Sequence, residues 1–394
     1  MRLLTFTSLF PNSVQPNLGV FIHQRMAAFA ALPGNSVEVI APLPWSPPVL
    51  AGETGRKMRS IPSAEKIGAI SVHHPRYPLV PGVSMPVHAR LMYLGAVALA
   101  RKLHRENPFD CVDAHYVYPD GTAALRIGRA LKLPVIVSAR GSDINLFPAF
   151  RLIRPQIRHT LRHAAGRIAV CEALKQAMLE VAEENCDIRV IGNGVDPARF
   201  FPVAQREARE RLRLPRDARI IVSVAALVPV KGHVRLLQAL KLFAHKFADL
   251  YLYLVGEGTS RAELGSLAAS LGLQDHVHFV GNCPNERLRD WYSAADVSCL
   301  ASSREGWPNV VLESLACGTP MVATRVWGTP EILTSPDVGI LVEQTDESLA
   351  AGLESALTRS WDRGRIVQFA RGRDWPTVAR EVDAYFREIL SRNT

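Results

Sequence analysis

The chain has 394 residues, of which 48% are hydrophobic and 21% are charged. This composition is typical of a globular protein and excludes a disordered one, and the length predicts two domains. No apolar run reaches the ~18 residues that a membrane span needs, and the first residues lack the cleavage-site pattern of a signal peptide. We therefore expect a cytoplasmic protein, either free or held peripherally at the inner face of the cytoplasmic membrane.

The net charge of +9 is carried by one half of the chain. Residues 1–192 contain 22 Lys and Arg against 13 Asp and Glu, whereas residues 193–394 contain 24 of each kind. A basic protein could bind nucleic acid, but the sequence offers no aromatic platform for stacking bases, so we expect no nucleic-acid partner. An excess of basic residues that is confined to one domain instead suggests contact with anionic lipid or with an anionic acceptor.

In the first half, apolar strand-like runs alternate with amphipathic stretches. The predicted strands are residues 3–8, 37–41, 70–74, 111–115, 135–139, 167–171 and 188–191. The predicted helices are residues 21–32, 87–106, 121–131 and 172–183. Pro and Gly are frequent in residues 42–55 and 77–86, which we expect to form loops.

The second half repeats this alternation. Its predicted strands are residues 220–225, 250–255, 277–280, 297–300, 321–324 and 339–342. Its predicted helices are residues 205–213, 233–246, 261–271, 286–294, 309–317, 347–358 and 377–391. The βαβ rhythm predicts an α/β protein with two Rossmann-like domains, each built on a parallel sheet. Turn-forming residues near Gly192 place the domain boundary there, giving domains at 1–192 and 193–375 with a terminal segment at 376–394.

Two carboxylates with seven residues between them, Glu305 and Glu313, surround a predicted helix start. Asn309 is a typical N-cap residue, and the backbone N–H groups of Val310 and Val311 would then face an anion such as a diphosphate. Carboxylates repel phosphate, so each is better interpreted as accepting hydrogen bonds from sugar hydroxyls. The combination predicts a nucleotide-sugar site.

The stretch from Arg304 to Gly318 resembles the E-x7-E signature of family-4-type retaining glycosyltransferases. Further segments match family landmarks in the family's order: His115-Tyr-Val-Tyr-Pro-Asp-Gly, Arg140-Gly-Ser-Asp, Gly192-Asn-Gly-Val-Asp, Leu227-Val-Pro-Val-Lys-Gly-His, Val255-Gly-Glu-Gly and Gly328-Thr-Pro-Glu. The resemblance covers nearly the whole chain. It implies the GT-B architecture, in which the two sheets face each other across a cleft and the C-terminal helix returns to the first domain.

The resemblance also implies an activity, which is sugar transfer from a nucleotide-sugar to a hydroxyl of a glycan or lipid-linked acceptor, with retained anomeric configuration. Synthesis of bacterial cell-surface or extracellular polysaccharide is the expected setting. The implied catalytic residues are Glu305, Lys231 and His115. The implied donor-binding residues are Gly19, Arg140, Asp143, Asn282, Cys283, Gly306, Asn309, Val310, Val311 and Glu313.

Three positions depart from the family's usual pattern. Ala226 stands where an Arg commonly shares the donor phosphate charge with Lys231. Arg140 replaces a common His, and its permanent cation could hold an anionic acceptor or a donor phosphate. Trp327 replaces a common Gly, which could narrow the sugar pocket.

Four arginines, Arg151, Arg154, Arg158 and Arg162, recur at helical spacing. They form either an ordinary solvated face or a basic surface worth ~1 kcal/mol per cation on anionic lipid. We expect no metal and no cofactor, since there is no Asp-x-Asp and the pair His159 and His163 lacks the Glu of H-E-x-x-H. Two alternatives stay open: a non-catalytic partner that binds nucleotide-sugar or lipid, and a sugar epimerase or phosphorylase of the same architecture.

Overall fold

The computed structural model describes residues 1–45, 52–79 and 84–392. The chain forms two compact units. The N-terminal unit comprises Met1–Asn193 and Trp375–Thr394, and the C-terminal unit comprises Gly194–Asp374. The division lies within one residue of the boundaries expected from the turn-forming residues and the terminal segment.

The N-terminal unit begins with alternating strands and helices. Its strands are β1 Arg2–Phe6, β2 Ser36–Ile40, β3 Leu43–Trp45, β4 Ala64–Ile67, β5 Ile70–His73, β6 Arg76–Pro78, β7 Cys111–His115, β8 Val135–Ser138, β9 Gly166–Ala169 and β10 Arg189–Val190. Its first helices are α1 Val20–Ala30, α2 Gly52–Arg59, α3 His88–Glu106, α4 Thr122–Leu131, α5 Ser142–Asn145, α6 Arg154–His163 and α7 Glu172–Ala182.

These strands form an eight-stranded sheet in the order β10-β9-β8-β7-β1-β2-β5-β4. All neighbours are parallel except β4, which pairs antiparallel with β5 at the edge. The central strands β1, β7 and β8 are buried along almost their whole length, because helices cover both faces of a parallel sheet. A separate two-stranded parallel sheet joins β3 to β6.

The C-terminal unit contains strands β11 Arg219–Val224, β12 Leu250–Val255, β13 Val277–Gly281, β14 Val297–Leu300, β15 Met321–Thr324 and β16 Gly339–Val342. Its helices are α8 Gln205–Leu212, α9 His233–Phe243, α10 Arg261–Ser270, α11 Asn285–Ala294, α12 Asn309–Ala316, α13 Thr329–Ile332, α14 Asp346–Thr358 and α15 Arg363–Arg371. The sheet is entirely parallel, in the order β13-β12-β11-β14-β15-β16, with a hydrophobic core on each face.

The last helix, α16 Trp375–Ser391, belongs to the N-terminal unit. It buries Val378, Val382 and Phe386, which recur every four residues and therefore share one face. Phe386 packs against Phe29 of α1 with ring centroids 6.1 Å apart. The buried stripe attaches the end of the chain to the sheet that holds its beginning.

The expected α/β class is confirmed, as are the strands of both parallel sheets to within two residues at each end. The expectation that residues 42–55 and 77–86 are loops throughout is wrong, because β3, part of α2, the end of β6 and a short 3-10 helix at Met85–Val87 lie there. Residues 46–51 and 80–83 of those segments lie outside the described residues. The sequence patterns also missed β4.

Candidate active site

The C-terminal unit has a topological switch point between β11 and β14, where the strand order reverses. Open parallel sheets bind ligands beyond the carboxyl ends of their strands at such a point. Lys231 follows β11 in the short 3-10 turn Pro229–Lys231, and Glu305 follows β14. Because β11 and β14 are neighbours, the two loops emerge side by side.

Lys231 and Glu305 form an ion pair at this edge. The Lys231 ammonium Nζ donates to Glu305 Oε1 at 2.6 Å, and the hydroxyl of Ser302 donates to the same oxygen at 2.6 Å. The Glu305 side chain is 9% exposed and the Lys231 side chain 26%. One carboxylate oxygen therefore accepts from two donors, while no donor among the described residues bonds to Glu305 Oε2, which is available to a ligand.

Gly232 is what lets the Lys231 turn approach β14 so closely. Its φ is +69°, in the left-handed region that favours glycine. A Cβ atom added there would lie 2.0 Å from the carbonyl oxygen of Ala301, the residue directly after β14. Any side chain at this position would push the turn away and separate Lys231 from Glu305.

Helix α12 begins at Asn309, but Asn309 is its first helical residue and not its N-cap. Pro308 occupies the N-cap position, so the expectation of a capping Asn309 side chain is wrong. The N–H of Val311 donates to the Pro308 carbonyl at 3.1 Å and is thus partly satisfied, whereas no such bond is found for the N–H of Val310 within the described chain. The helix start keeps its positive dipole end, but Val310 offers the more available of the two donors.

Glu313 lies on α12 against a buried tyrosine. The phenol of Tyr292 donates to Glu313 Oε2 at 3.1 Å, and Tyr292 is 1% exposed. Burial raises the pKa of Glu313 to about 7, although the Tyr292 hydrogen bond and the positive charge of Arg199 act in the opposite direction. The carboxyl group can therefore change its protonation near neutral pH.

Three residues that interact with these carboxylates were not predicted from the sequence. Ser302 donates to Glu305, and Tyr292 and Arg199 interact with Glu313. Tyr292 is twenty-one residues before Glu313, and nothing in the local sequence links the two. Ser302 could have been predicted as a partner of Glu305, because it lies three residues before Glu305 in the same loop after β14. Arg199 gave no such signal.

The other expected donor residues of this unit lie in two loops. Asn282 is exposed and Cys283 is half-buried, directly after β13, while Gly306 is half-buried beside Glu305. Arg325, directly after β15, forms an ion pair with Glu343 at 3.1 Å. Lys231 thus stays the cation closest to Glu305 within the described part of this unit.

The N-terminal unit has its own switch point, between β1 and β7. His115 ends β7 and is fully buried, with Nε2 3.0 Å from the Asp113 carboxylate. Arg140, after the neighbouring strand β8, donates from Nε to His115 Nδ1 at 3.2 Å and from its guanidinium to Asn193 Oδ1 at 3.0 Å. Burial lowers the pKa of His115 to about 4, so the ring is neutral at pH 7. Its expected contact with the reacting sugar stays a prediction.

The local structure explains why an Asp stands at position 143 and a Gly at position 19. The Asp143 carboxylate accepts backbone N–H bonds from Val117 at 2.8 Å, Gly141 at 2.8 Å and Arg140 at 3.0 Å, which fixes the turn after β8. Gly19 has a φ of +62°, and a Cβ there would lie 2.2 Å from the Leu9 carbonyl oxygen. Their expected roles in donor binding therefore stay predictions.

The four-arginine stripe is not a free basic face. Arg154 and Arg158 both contact the Glu183 carboxylate, and Arg162 contacts Glu184 at 3.0 Å. Arg162 also donates to the Ala182 carbonyl at 2.8 Å. These arginines therefore complement the C-terminal end of α7, where the helix dipole favours cations. Arg151 precedes α6 and lies outside it.

His159 and His163 do not resemble a metal site. Their rings stack with centroids 4.0 Å apart, and His163 Nδ1 bonds to the His159 carbonyl. Over the described ranges we find no group of three His, Cys, Asp or Glu side chains that could hold a metal. Within the same ranges no helix combines the length and apolarity needed to span a bilayer.

Two family models match consecutive parts of the chain. Residues 20–199 match the model described as Glycosyltransferase Family 4, and residues 204–373 match Glycosyl transferases group 1. TuaC of Bacillus subtilis, named for teichuronic acid biosynthesis, is 29% identical over 90% of this chain and 88% of its own. A D-inositol 3-phosphate glycosyltransferase of Catenulispora acidiphila is 36% identical over 51% of each chain. The N-acetyl-alpha-D-glucosaminyl L-malate synthase of Bacillus anthracis is 27% identical over 64% of this chain and 66% of its own.

Solved structures show the same fold. Sucrose-phosphate synthase of Thermosynechococcus elongatus superposes with a TM-score of 0.79 at 20% identity, covering 99% of both chains. HepE of Anabaena, solved with UDP-glucose, gives a TM-score of 0.69 at 17% identity over 98% of this chain and 99% of its own. The two models, the relatives and the fold agree, and the chain belongs to the family-4-type glycosyltransferases with the GT-B fold.

Proposed function

We propose that the protein transfers a sugar from a nucleoside-diphosphate sugar to a hydroxyl of a glycan or lipid-linked acceptor, with retention of anomeric configuration. The observation that carries the proposal is the Lys231 and Glu305 pair at the switch point of the C-terminal sheet, one loop away from the start of α12. A cation and a helix N-terminus suit a diphosphate, and carboxylates suit sugar hydroxyls.

The donor class has support from a structural relative. HepE of Anabaena is described in complexes with UDP and with UDP-glucose. In this chain the Lys231 ammonium and the Val310 N–H would neutralise the diphosphate, Glu305 would orient the sugar hydroxyls, and Glu313 would accept from the ribose hydroxyls. The nucleotide base stays open, because the Asn282 amide after β13 can both donate and accept hydrogen bonds and therefore fits more than one base.

The reaction needs no protein nucleophile in this proposal. The bond between the anomeric carbon and the diphosphate oxygen breaks while the acceptor oxygen bonds to the same face of that carbon. The departing diphosphate takes the acceptor proton. The contribution of the protein is then orientation and stabilisation of the leaving-group charge, chiefly by Lys231.

The acceptor is proposed to be anionic. The relatives carry the names of teichuronic acid, inositol 3-phosphate and L-malate, all negatively charged compounds. In this chain the +9 charge resides in residues 1–192. Two buried arginines, Arg25 and Arg140, lie near the carboxyl end of β7. The pKa of Arg140 is lowered chiefly by burial and secondly by the positive charge of Arg25. The carboxylates of Asp113 and Asp143 offset part of these two charges, so the support for an anionic acceptor comes from the basic excess of the whole unit.

A donor screen tests the proposal. Purified protein is incubated with UDP-, GDP-, ADP- and dTDP-sugars, and release of nucleoside diphosphate is followed with and without polyprenyl-linked and soluble acceptors. We expect one donor class to be turned over by the wild type and not by Lys231→Ala. The exposed Lys241→Ala on α9 is the matched control. Binding of a donor without release under any acceptor condition would instead indicate the non-catalytic alternative.

A further inference from the structure

The N-terminal unit exposes large apolar side chains in two neighbouring segments. Leu152 is 68% exposed, Val87 49%, Leu146 47% and Phe150 44%. Single exposed apolar residues are ordinary, but three within seven residues of one loop form a patch. Two arginines, Arg90 and Arg151, are also exposed in these segments. The apolar-basic surface is the set Val87, Arg90, Leu146, Phe150, Arg151 and Leu152.

Hydrogen bonds hold the two segments side by side. The Gln156 amide donates to the Pro86 carbonyl at 2.8 Å and to the Leu152 carbonyl at 2.9 Å. Tyr118 connects them again, because its hydroxyl donates to the Met85 carbonyl and its ring meets Phe147 edge-on at 6.1 Å. The Gln156 side chain therefore bridges the backbone next to Val87 and the backbone at Leu152.

The charge of this surface has one sign. Residues 66–105 and 144–171 contain no Asp or Glu at all. Among the described residues, neither Arg90 nor Arg151 takes part in an ion pair, whereas the nearby Arg154 contacts Glu183 at 3.6 Å. Arg158 and Arg162 are likewise engaged at the end of α7. Arg90 and Arg151 thus differ from these three arginines in having no ion pair among the described residues.

We infer that the apolar-basic surface docks the N-terminal unit on an anionic lipid bilayer. Apolar side chains would enter the boundary between headgroups and acyl chains, and Arg90 and Arg151 would contact anionic headgroups. A zwitterionic bilayer has no net negative charge, so it should bind this surface more weakly than an anionic bilayer does. The docking does not depend on the proposed transfer reaction.

Vesicle co-sedimentation of the full chain tests the inference, with phosphatidylcholine vesicles and with vesicles containing 30% phosphatidylglycerol. We expect binding to the anionic vesicles that falls with salt. Phe150→Ser/Leu152→Ser should weaken the partition coefficient about tenfold or more, since each side chain loses its burial in the bilayer. Arg90→Gln/Arg151→Gln should weaken it by about fivefold per cation.

Matched controls lie on the C-terminal unit. Val234→Ser/Leu242→Ser removes apolar residues of similar exposure, and Arg206→Gln/Arg213→Gln removes two exposed arginines. These variants should bind as the wild type does. Thermal melting of every variant shows whether it is folded, and nucleotide release reports on the donor site separately. Equal binding to both vesicle types, no binding at all, or equal losses in the control variants would overturn the inference.

Discussion

Lys231 Nζ lies 2.6 Å from Glu305 Oε1, so the two side chains of the C-terminal unit best suited to a nucleotide-sugar neutralise each other before a donor arrives. The pair is poorly exposed, which strengthens its attraction. An incoming diphosphate competes with Glu305 for the same ammonium. Donor binding should therefore redistribute this interaction, leaving Glu305 free to orient the sugar.

The first prediction concerns the cation. Lys231→Ala should weaken donor binding and slow turnover together, by about a hundredfold in kcat/KM, because the leaving diphosphate loses its cation. Calorimetric donor titration and initial rates measure both quantities, with Lys241→Ala as the control. Unchanged affinity and rate would show that another cation binds the phosphates.

The second prediction separates the two carboxylates. Glu305→Gln should chiefly slow transfer, and it should leave donor affinity intact or improved because Lys231 is released from its ion pair. Glu313→Gln should chiefly weaken nucleotide binding. The comparison uses Kd for the free nucleotide and kcat at saturating donor. Equal loss of nucleotide binding in both variants, with normal transfer at saturation, would contradict the division of roles.

A third prediction follows from the Tyr292 hydrogen bond. Glu313 accepts hydrogen bonds from ribose hydroxyls more strongly when it is ionised, so donor affinity should rise as the pH increases through about 7. The Tyr292 bond lowers the pKa of Glu313, so Tyr292→Phe should move this midpoint to higher pH and weaken donor binding about tenfold at pH 7. Titrations from pH 6 to 9, with the half-exposed Tyr251→Phe as control, measure the shift. If Tyr292→Phe weakened donor binding without changing the pH midpoint of that binding, Tyr292 would contribute packing only and would not influence the pKa of Glu313.

The fourth prediction concerns acid stability. The pKa of His115 falls from 6.5 to about 4 on burial, so the unfolded chain takes up the proton first as the pH decreases. The stability that the neutral ring provides above pH 6.5 is therefore lost between pH 6.5 and 4, by about 2 to 3 kcal/mol at pH 4.5.

His115→Gln should remove this part of the pH dependence while lowering stability at pH 7, since Asp113 and Arg140 lose their shared partner. Urea unfolding at pH 7 and at pH 4.5 gives the comparison, and the exposed His245→Gln serves as control. An identical loss of stability between the two pH values in wild type and His115→Gln would exclude His115 as the titrating group.

The sequence predicted the parallel sheets well because their strands are continuous apolar runs bounded by turn residues. For β7, β12 and β14 the expected and observed bounds coincide. It failed for β4, whose residues Ala64–Ile67 have no strand-like pattern and pair only through the antiparallel contact with β5. Edge strands of this kind depend on tertiary contacts more than on local preference.

The candidate site shows the same limit. Lys231 and Glu305 could be placed from the strands they follow, because neighbouring parallel strands end at one edge. The partners Tyr292 and Arg199 could not, since their approach to Glu313 depends on how α11 and the segment before α8 pack. Trp327 adds a further case: its φ of +44° explains why glycine is common at this position in the family, a constraint that only the backbone reveals.

The most direct test of the account is a proton NMR time course of the anomeric signals during reaction with the donor selected in the screen. We predict that the anomeric signal of the donor is replaced by a product signal of the same anomeric configuration as nucleoside diphosphate accumulates, and that Lys231→Ala abolishes both changes. A product of the opposite configuration would contradict retention, and nucleoside diphosphate release that is insensitive to Lys231→Ala would contradict the site itself.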